Sequence, residues 1–225
     1  MKTFKTWVAA AAMVALSGAP QAALVSRAGG MIYDTTRDIT WLADMNYAQT
    51  SGHTGTGVNA NGRMTWDAAT AWANNLVYGG FDDWRMPTLN PADTSCTGGS
   101  GAGFGYNCTG GEMSGLFVTD LGNKANQSVL NQGGDTAEQI ANLALFSNVQ
   151  SFGYWSGTEY APNLSSAWAF LTANGGQSTG GKSNALYAVA VRPGDVVVFV
   201  PEPQTLPLAL LALGALVVAR GRRQA

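Results

Sequence analysis

The chain has 225 residues, of which only 12% are charged, with 29 glycines and a formal net charge of −2. That balance excludes a nucleic-acid-binding face, which needs clustered Lys and Arg, and it is far from the charge-rich surface of a generic cytosolic enzyme. Sparse charge with abundant Gly, Asn, Ser and Thr fits an extracellular, loop-rich domain instead.

Lys2 and Lys5 precede an apolar run over residues 7–16, and Ser17, Gly18, Ala19 and Pro20 then break the helix. This is the layout of a secretory signal peptide, assigned to residues 1–23, and it predicts passage through the Sec translocon and removal by signal peptidase. Cleavage after Ala22 or after Ala23 leaves a small residue at the cut. The apolar run is too short for a span, which needs about 20 residues. Residues 24–195 are then long enough for one domain with a real core.

Met31-Ile-Tyr-Asp34 and Ile39-Thr-Trp-Leu42 are short β-rich runs around a turn, and predict an opening hairpin. Residues 49–62 carry Gly, Thr and Asn without periodicity, hence a loop. A helix follows, with Thr65 as N-cap, Asp67 in the first turn, and Ala69, Trp72, Ala73 and Leu76 on one face, ended by Gly79-Gly80. A second helix is predicted over residues 111–121, burying Met113, Leu116, Phe117 and Leu121, and ended by Gly122. A third covers 136–145, with Asp135 as N-cap and Glu138 three residues on. The last third reads as a β-meander over 152–158, 166–172 and 185–191, broken at Pro162-Asn163 and at Asn174-Gly175-Gly176.

Cys96 and Cys108 are the only cysteines, and an even count in an exported chain predicts a disulfide closing the Gly-rich segment between them. In the chain-entropy account such a loop closure contributes roughly 3 kcal/mol. A metal pair lacks partners, since His53 is the single histidine and zinc takes four ligands. The same lone histidine removes the basis for a Ser-His-Asp site, so no catalytic residue, metal or cofactor is expected and His53 is expected to be exposed and idle. Asp82-Asp83 reads as a solvated turn, and Arg85 and Arg192 as braces for carboxylates or carbonyls. Of Trp41, Trp66, Trp72, Trp84, Trp155 and Trp168, five are expected in the core, with Trp84 and Trp168 the candidates for exposure to ligand.

The C-terminus has three parts. Pro201-Glu202-Pro203 cannot join a helix or a central strand, which leaves its backbone open to a processing enzyme. The apolar segment 205–219 predicts a membrane helix, and at 1.5 Å per residue it covers about 22 Å against roughly 30 Å of hydrocarbon. Arg220, Arg222 and Arg223 favour the cytoplasmic side, so the anchor is oriented with the domain outside. Together, residues 196–225 resemble the PEP-CTERM sorting signal recognised by exosortase-type enzymes of Gram-negative bacteria that make exopolysaccharide. The resemblance implies an exosortase as partner, a transient membrane anchor, and a destination at the cell surface or in an extracellular matrix.

The middle carries a second resemblance. Tyr33-Asp34, Thr40-Trp41-Leu42, Thr65-Trp66 with Ala69, Asp83-Trp84-Arg85-Met86-Pro87-Thr88, Tyr154-Trp155-Ser156-Gly157-Thr158 and Val191-Arg192-Pro193 are similar to the Lcl C-terminal domain family. It spans about residues 30–194. It implies an α+β unit of C-type-lectin-like or sulfatase-modifying-factor-like fold, with short helices around twisted antiparallel sheet. The segment from Cys96 to Cys108 departs from it as a Gly-rich insertion. Three functions follow: a non-catalytic lectin-like domain binding glycan or protein, a structural matrix component without a specific ligand, and, least favoured, an extracellular enzyme.

Overall fold

A computed structural model describes residues 23–196. The signal segment, Pro201 to Pro203, the apolar segment 205–219 and Arg220, Arg222 and Arg223 lie outside the described residues. Among the described residues no helix is long and apolar enough to cross a membrane.

The fold is α+β, with two antiparallel sheets and a few short helices. The opening hairpin forms as expected: β2 (Met31–Asp34) pairs β3 (Ile39–Leu42), with Ile32 opposite Trp41. A strand preceding it, β1 (Leu24–Arg27), adds to β2, and β9 (Val191–Pro193) adds to β3, so the first sheet runs β1-β2-β3-β9. The last described strand therefore returns to the sheet that holds the first. Arg27 fastens this return through two bonds to Asp195, at 2.7 and 2.6 Å.

The second sheet runs β4-β5-β8-β7-β6. Strands β6 (Gly153–Glu159) and β7 (Ser166–Leu171) match the sequence expectation, but the third meander strand does not. It is β8 (Gly176–Gly181), a Gly-rich run, and not 185–191. The more apolar segment passes between the sheets, bridging Leu186 to Met64 and Tyr187 to Tyr154, and burying Ala188, Val189 and Ala190. Hydrophobicity marked it for the core, and core position decided its path over β propensity. The insertion between the cysteines forms a small ribbon, β4 (Thr97–Gly98) with β5 (Gly105–Tyr106), that extends this sheet beside β8.

A short helix, α1 (Tyr47–Thr50), opens the predicted loop. Helix α2 (Trp66–Asn74) is capped by the Thr65 hydroxyl, which accepts from Ala68 N–H, and buries Ala69, Trp72 and Ala73. It ends before the two glycines, whose positive φ angles instead form the tight Tyr78–Phe81 turn. Helix α3 (Glu112–Ser114) continues directly into a π-helical segment (Gly115–Asp120) and ends at Gly122 with φ 73°. Its Met113, Leu116, Phe117 and Leu121 enter the core, where Phe117 stacks on Phe170 at 5.2 Å. Helix α4 (Ala137–Leu143) is shifted by one residue from the expected cap. Thr136 is the N-cap and Gln139 its partner, because the hydroxyl and the amide close the reciprocal pair that Asp135 and Glu138 were expected to make.

Candidate binding site

Five of the six tryptophans are in the core, as expected, but the exception is neither of the two candidates. Trp84 and Trp168 are each only 2% exposed, so neither meets a ligand at the surface. Trp84 donates to Tyr78 O at 3.2 Å, and Trp168 lies against Phe104 at 4.5 Å and Tyr160 at 5.8 Å. The insertion is what covers Trp168, since Phe104 belongs to it. Among the described residues the partly exposed tryptophan is Trp66, whose indole donates to Ser156 O at 2.8 Å while Lys182 Nζ caps its ring at 4.2 Å. Cys96 and Cys108 are joined in a disulfide, as the sequence predicts.

Both arginines brace carboxylates. Arg85 forms two bonds to Glu112, at 2.8 and 2.7 Å, and Arg192 forms two to Asp83, at 2.8 and 3.0 Å. The Arg192 guanidinium holds the Asp83 carboxyl below the ordinary range, so Asp83 is a paired anion while its neighbour Asp82 stays in solvent. Burial works against ionisation of Glu112, but bonds from Arg85 and from Thr88 N–H outweigh it and hold this group low as well. One polar cluster went unseen in the sequence. Arg37, in the β2–β3 turn, reaches inward to Asp34 at 2.5 Å and Asp120 at 2.6 Å. Burial pushes Asp120 above the ordinary carboxylate value, with the Arg37 charge opposing. Nothing in the spacing of 34, 37 and 120 announces that meeting.

A pocket lies between α2 and the loop after α1. Its volume is about 410 Å³. Tyr47, Trp72, Val58 and Leu76 form apolar walls, and Ser51, His53, Thr54, Thr56 and Asn75 bring hydroxyl, imidazole and amide groups to it. Short backbone bonds tie the loop at both ends: His53 N–H donates to Ala48 O of α1 at 2.8 Å, and Thr65 N–H, at the α2 cap, to Gly57 O at 2.8 Å. Gly57 is required there, because a β-carbon would stand 2.5 Å from the Thr65 hydroxyl and φ is +80°. Tyr47 meets Tyr78 edge-on at 5.0 Å, and Tyr78 meets Trp84 at 6.0 Å, so the aromatic wall is continuous with the core. His53 is partly buried at this pocket, where the sequence reading expected an exposed and idle side chain. The signal that could have found the pocket is the Gly/Thr-rich loop preceding an amphipathic helix.

Residues 23–196 define an α+β module with an open, mixed polar and apolar pocket. Residues 30–192 match the Lcl C-terminal domain, and the chain belongs to that family. Residues 199–223 match the PEP-CTERM protein-sorting motif, so the protein is exported and sorted by an exosortase. No curated protein and no solved structure matches the chain.

Proposed function

We propose that the chain delivers a non-catalytic, C-type-lectin-like binding domain to the cell surface or to an exopolysaccharide matrix, where it holds a glycan. The observation that carries this reading is the pocket between the 51–58 loop and α2. It pairs aromatic and aliphatic walls with a rim of hydroxyl and amide groups, which is the chemistry a sugar ring with an apolar face and polar edges requires. Its only ionisable groups are Tyr47 and His53. In this reading the signal peptide is cut by signal peptidase after Ala22. That cut retains Ala23, whose carbonyl accepts from Thr35 N–H at 2.8 Å and from the Thr35 hydroxyl at 3.1 Å. The apolar segment 205–219 then anchors the chain until the exosortase removes it.

The test is a glycan array probed with the mature secreted protein. Ala71, exposed on α2 at the pocket, is replaced in one variant by Arg, which fills the pocket without touching the core. Leu164→Arg, at an exposed turn position that is not among the pocket-lining residues, is the control. The expected result is glycan binding by the parent and by Leu164→Arg, weakened about tenfold or more in Ala71→Arg, equivalent to about 1.4 kcal/mol. Absence of binding by the parent, or equal binding by Ala71→Arg, contradicts the proposal.

A further inference from the structure

One carboxylate closes the neck of the ribbon that carries the two cysteines. Asp93 is buried, and its Oδ1 accepts from the Ser95 N–H at 2.9 Å and the Ser95 hydroxyl at 2.6 Å, while Oδ2 accepts from Gly110 N–H at 2.7 Å. The Ser95 oxygen in turn accepts from Thr109 N–H at 2.8 Å and from the Thr109 hydroxyl at 3.1 Å. Ser95 immediately precedes Cys96, and Thr109 and Gly110 immediately follow Cys108. Both arms of the loop therefore hang on the same anion, just outside the sulfurs. A carboxylate oxygen of Asp93 and the two Sγ atoms all lie within 4.8 Å of one another. Burial disfavours the charge on Asp93, yet the bonds from Ser95 and Gly110 hold its carboxyl below the ordinary value. Gly110 is part of the clamp, since a β-carbon there would stand 3.0 Å from the carboxyl.

Beside the clamp is an open cleft of about 340 Å³, lined by Asp93, Thr94, Cys96, Gly101 and Phe104 among others. Cys96 is partly exposed and Cys108 is fully buried. We propose that Asp93 is a positioning residue for the redox chemistry of this pair, and that the cleft is where a disulfide or thiol exchange partner reaches Cys96. On oxidation the Cys96 thiol loses its proton and the thiolate attacks one sulfur of the partner's disulfide, expelling the other as a thiolate. Cys108, deprotonated in its turn, attacks Cys96 of the mixed disulfide and expels the second partner thiolate. One intramolecular S–S bond forms, the partner's S–S bond is reduced to two thiols, and two protons pass to solvent or to the departing thiolates.

The clamp acts through proximity. By tying residues 95 and 109–110 together it raises the effective concentration of the two thiols in the folded chain. That favours closure and resists reduction. Its negative charge also disfavours a nearby thiolate, so it slows reductive attack and adventitious alkylation at neutral pH.

The experiment equilibrates the mature secreted protein in glutathione redox buffers and compares it with Asp93→Ala and Asp93→Asn. The expected result is a fall of at least about tenfold in the thiol pair's effective concentration for Asp93→Ala, a potential about 30 mV less negative, with Asp93→Asn between. Two further readouts separate positioning from mere stability. A Cys108→Ser variant should accumulate a mixed disulfide with glutathione on Cys96, while Cys96→Ser should not form one on buried Cys108. Within the Cys108→Ser background, the pH midpoint for alkylation of Cys96 should fall when Asp93 is also changed to Asn, which keeps the shape and removes the charge. An unchanged potential in folded Asp93→Ala overturns the proposal. So does an unchanged alkylation midpoint in the Asn variant, or equal trapping on both cysteines. If Asp93→Ala fails to fold, the Asn variant carries the test.

Discussion

Asp34 is fully buried and accepts bonds from Thr36 N–H and Arg37 N–H, both at 3.0 Å, and from the Arg37 guanidinium at 2.5 Å. Asp120 shares that guanidinium at 2.6 Å. Its value in the folded chain is raised, chiefly by burial, with Arg37 opposing and Asp34 and Glu138 adding. The sign follows from linkage: the folded state holds a proton on Asp120 that the unfolded chain has already released. This group's stabilising contribution is therefore complete below the ordinary carboxylate value and is lost as pH rises through its folded value. Asp120→Asn keeps an acceptor for Arg37 and removes the charge. Chemical denaturation across pH should show the variant gaining on the parent as pH rises from below the ordinary carboxylate range to neutrality. A variant that loses ground over that interval contradicts the assignment. Trp84 carries the opposite lesson. The sequence places its indole beside two aspartates and an arginine, which looks like surface chemistry, but Arg192 takes Asp83, Glu112 takes Arg85, and the indole is left to pack inward.

At the scale of elements, local chemistry was legible and pairing was not. The β2–β3 hairpin, the Thr65 cap and the apolar face of α3 follow from turn residues, a hydroxyl acceptor and helical spacing, all of which act over a few residues. The third meander strand failed because residues 185–191 have high β propensity and residues 176–181 have low. The hairpin turn after β7, with Gly175 at φ 73°, delivers the Gly-rich run to the sheet whatever its propensity. The insertion between the cysteines was legible as a closed loop but not as a ribbon, because its two-residue strands gain their order from β8 and from Phe104 on Trp168. Gly115 shows how an element and the buried ion cluster depend on each other. It sits inside a helix with ordinary helical angles, yet a β-carbon there would stand 2.2 Å from an Arg37 nitrogen. Gly115→Ala should therefore destabilise by about 1–3 kcal/mol despite alanine's better helix propensity, measured by urea unfolding. A neutral or stabilising result would mean that Arg37 moves freely.

At the largest scale, residues 23–196 form one module, followed in sequence by the sorting motif over 199–223. Within the module, β1 and β9 flank the first sheet's hairpin, and Arg27 pairs with Asp195. The C-terminal sorting motif was readable because charge, apolar length and proline act as linear features that need no folding to be recognised. Family membership was readable too, from blocks such as Asp83-Trp84-Arg85 and Tyr154-Trp155-Ser156, which prove to be bracing and core residues. The pocket was not, since the Gly/Thr-rich loop and the amphipathic helix were each legible in the sequence but the docking of one on the other, which makes the pocket, depends on tertiary packing. The most direct measurement is the intact mass of the protein recovered from the cell surface or medium. The expected mass is that of a chain beginning at Ala23, ending between Pro201 and Pro203, and lighter by two hydrogens than its reduced form. A recovered chain that still carries Arg220, Arg222 and Arg223, or that contains two free thiols, would contradict it.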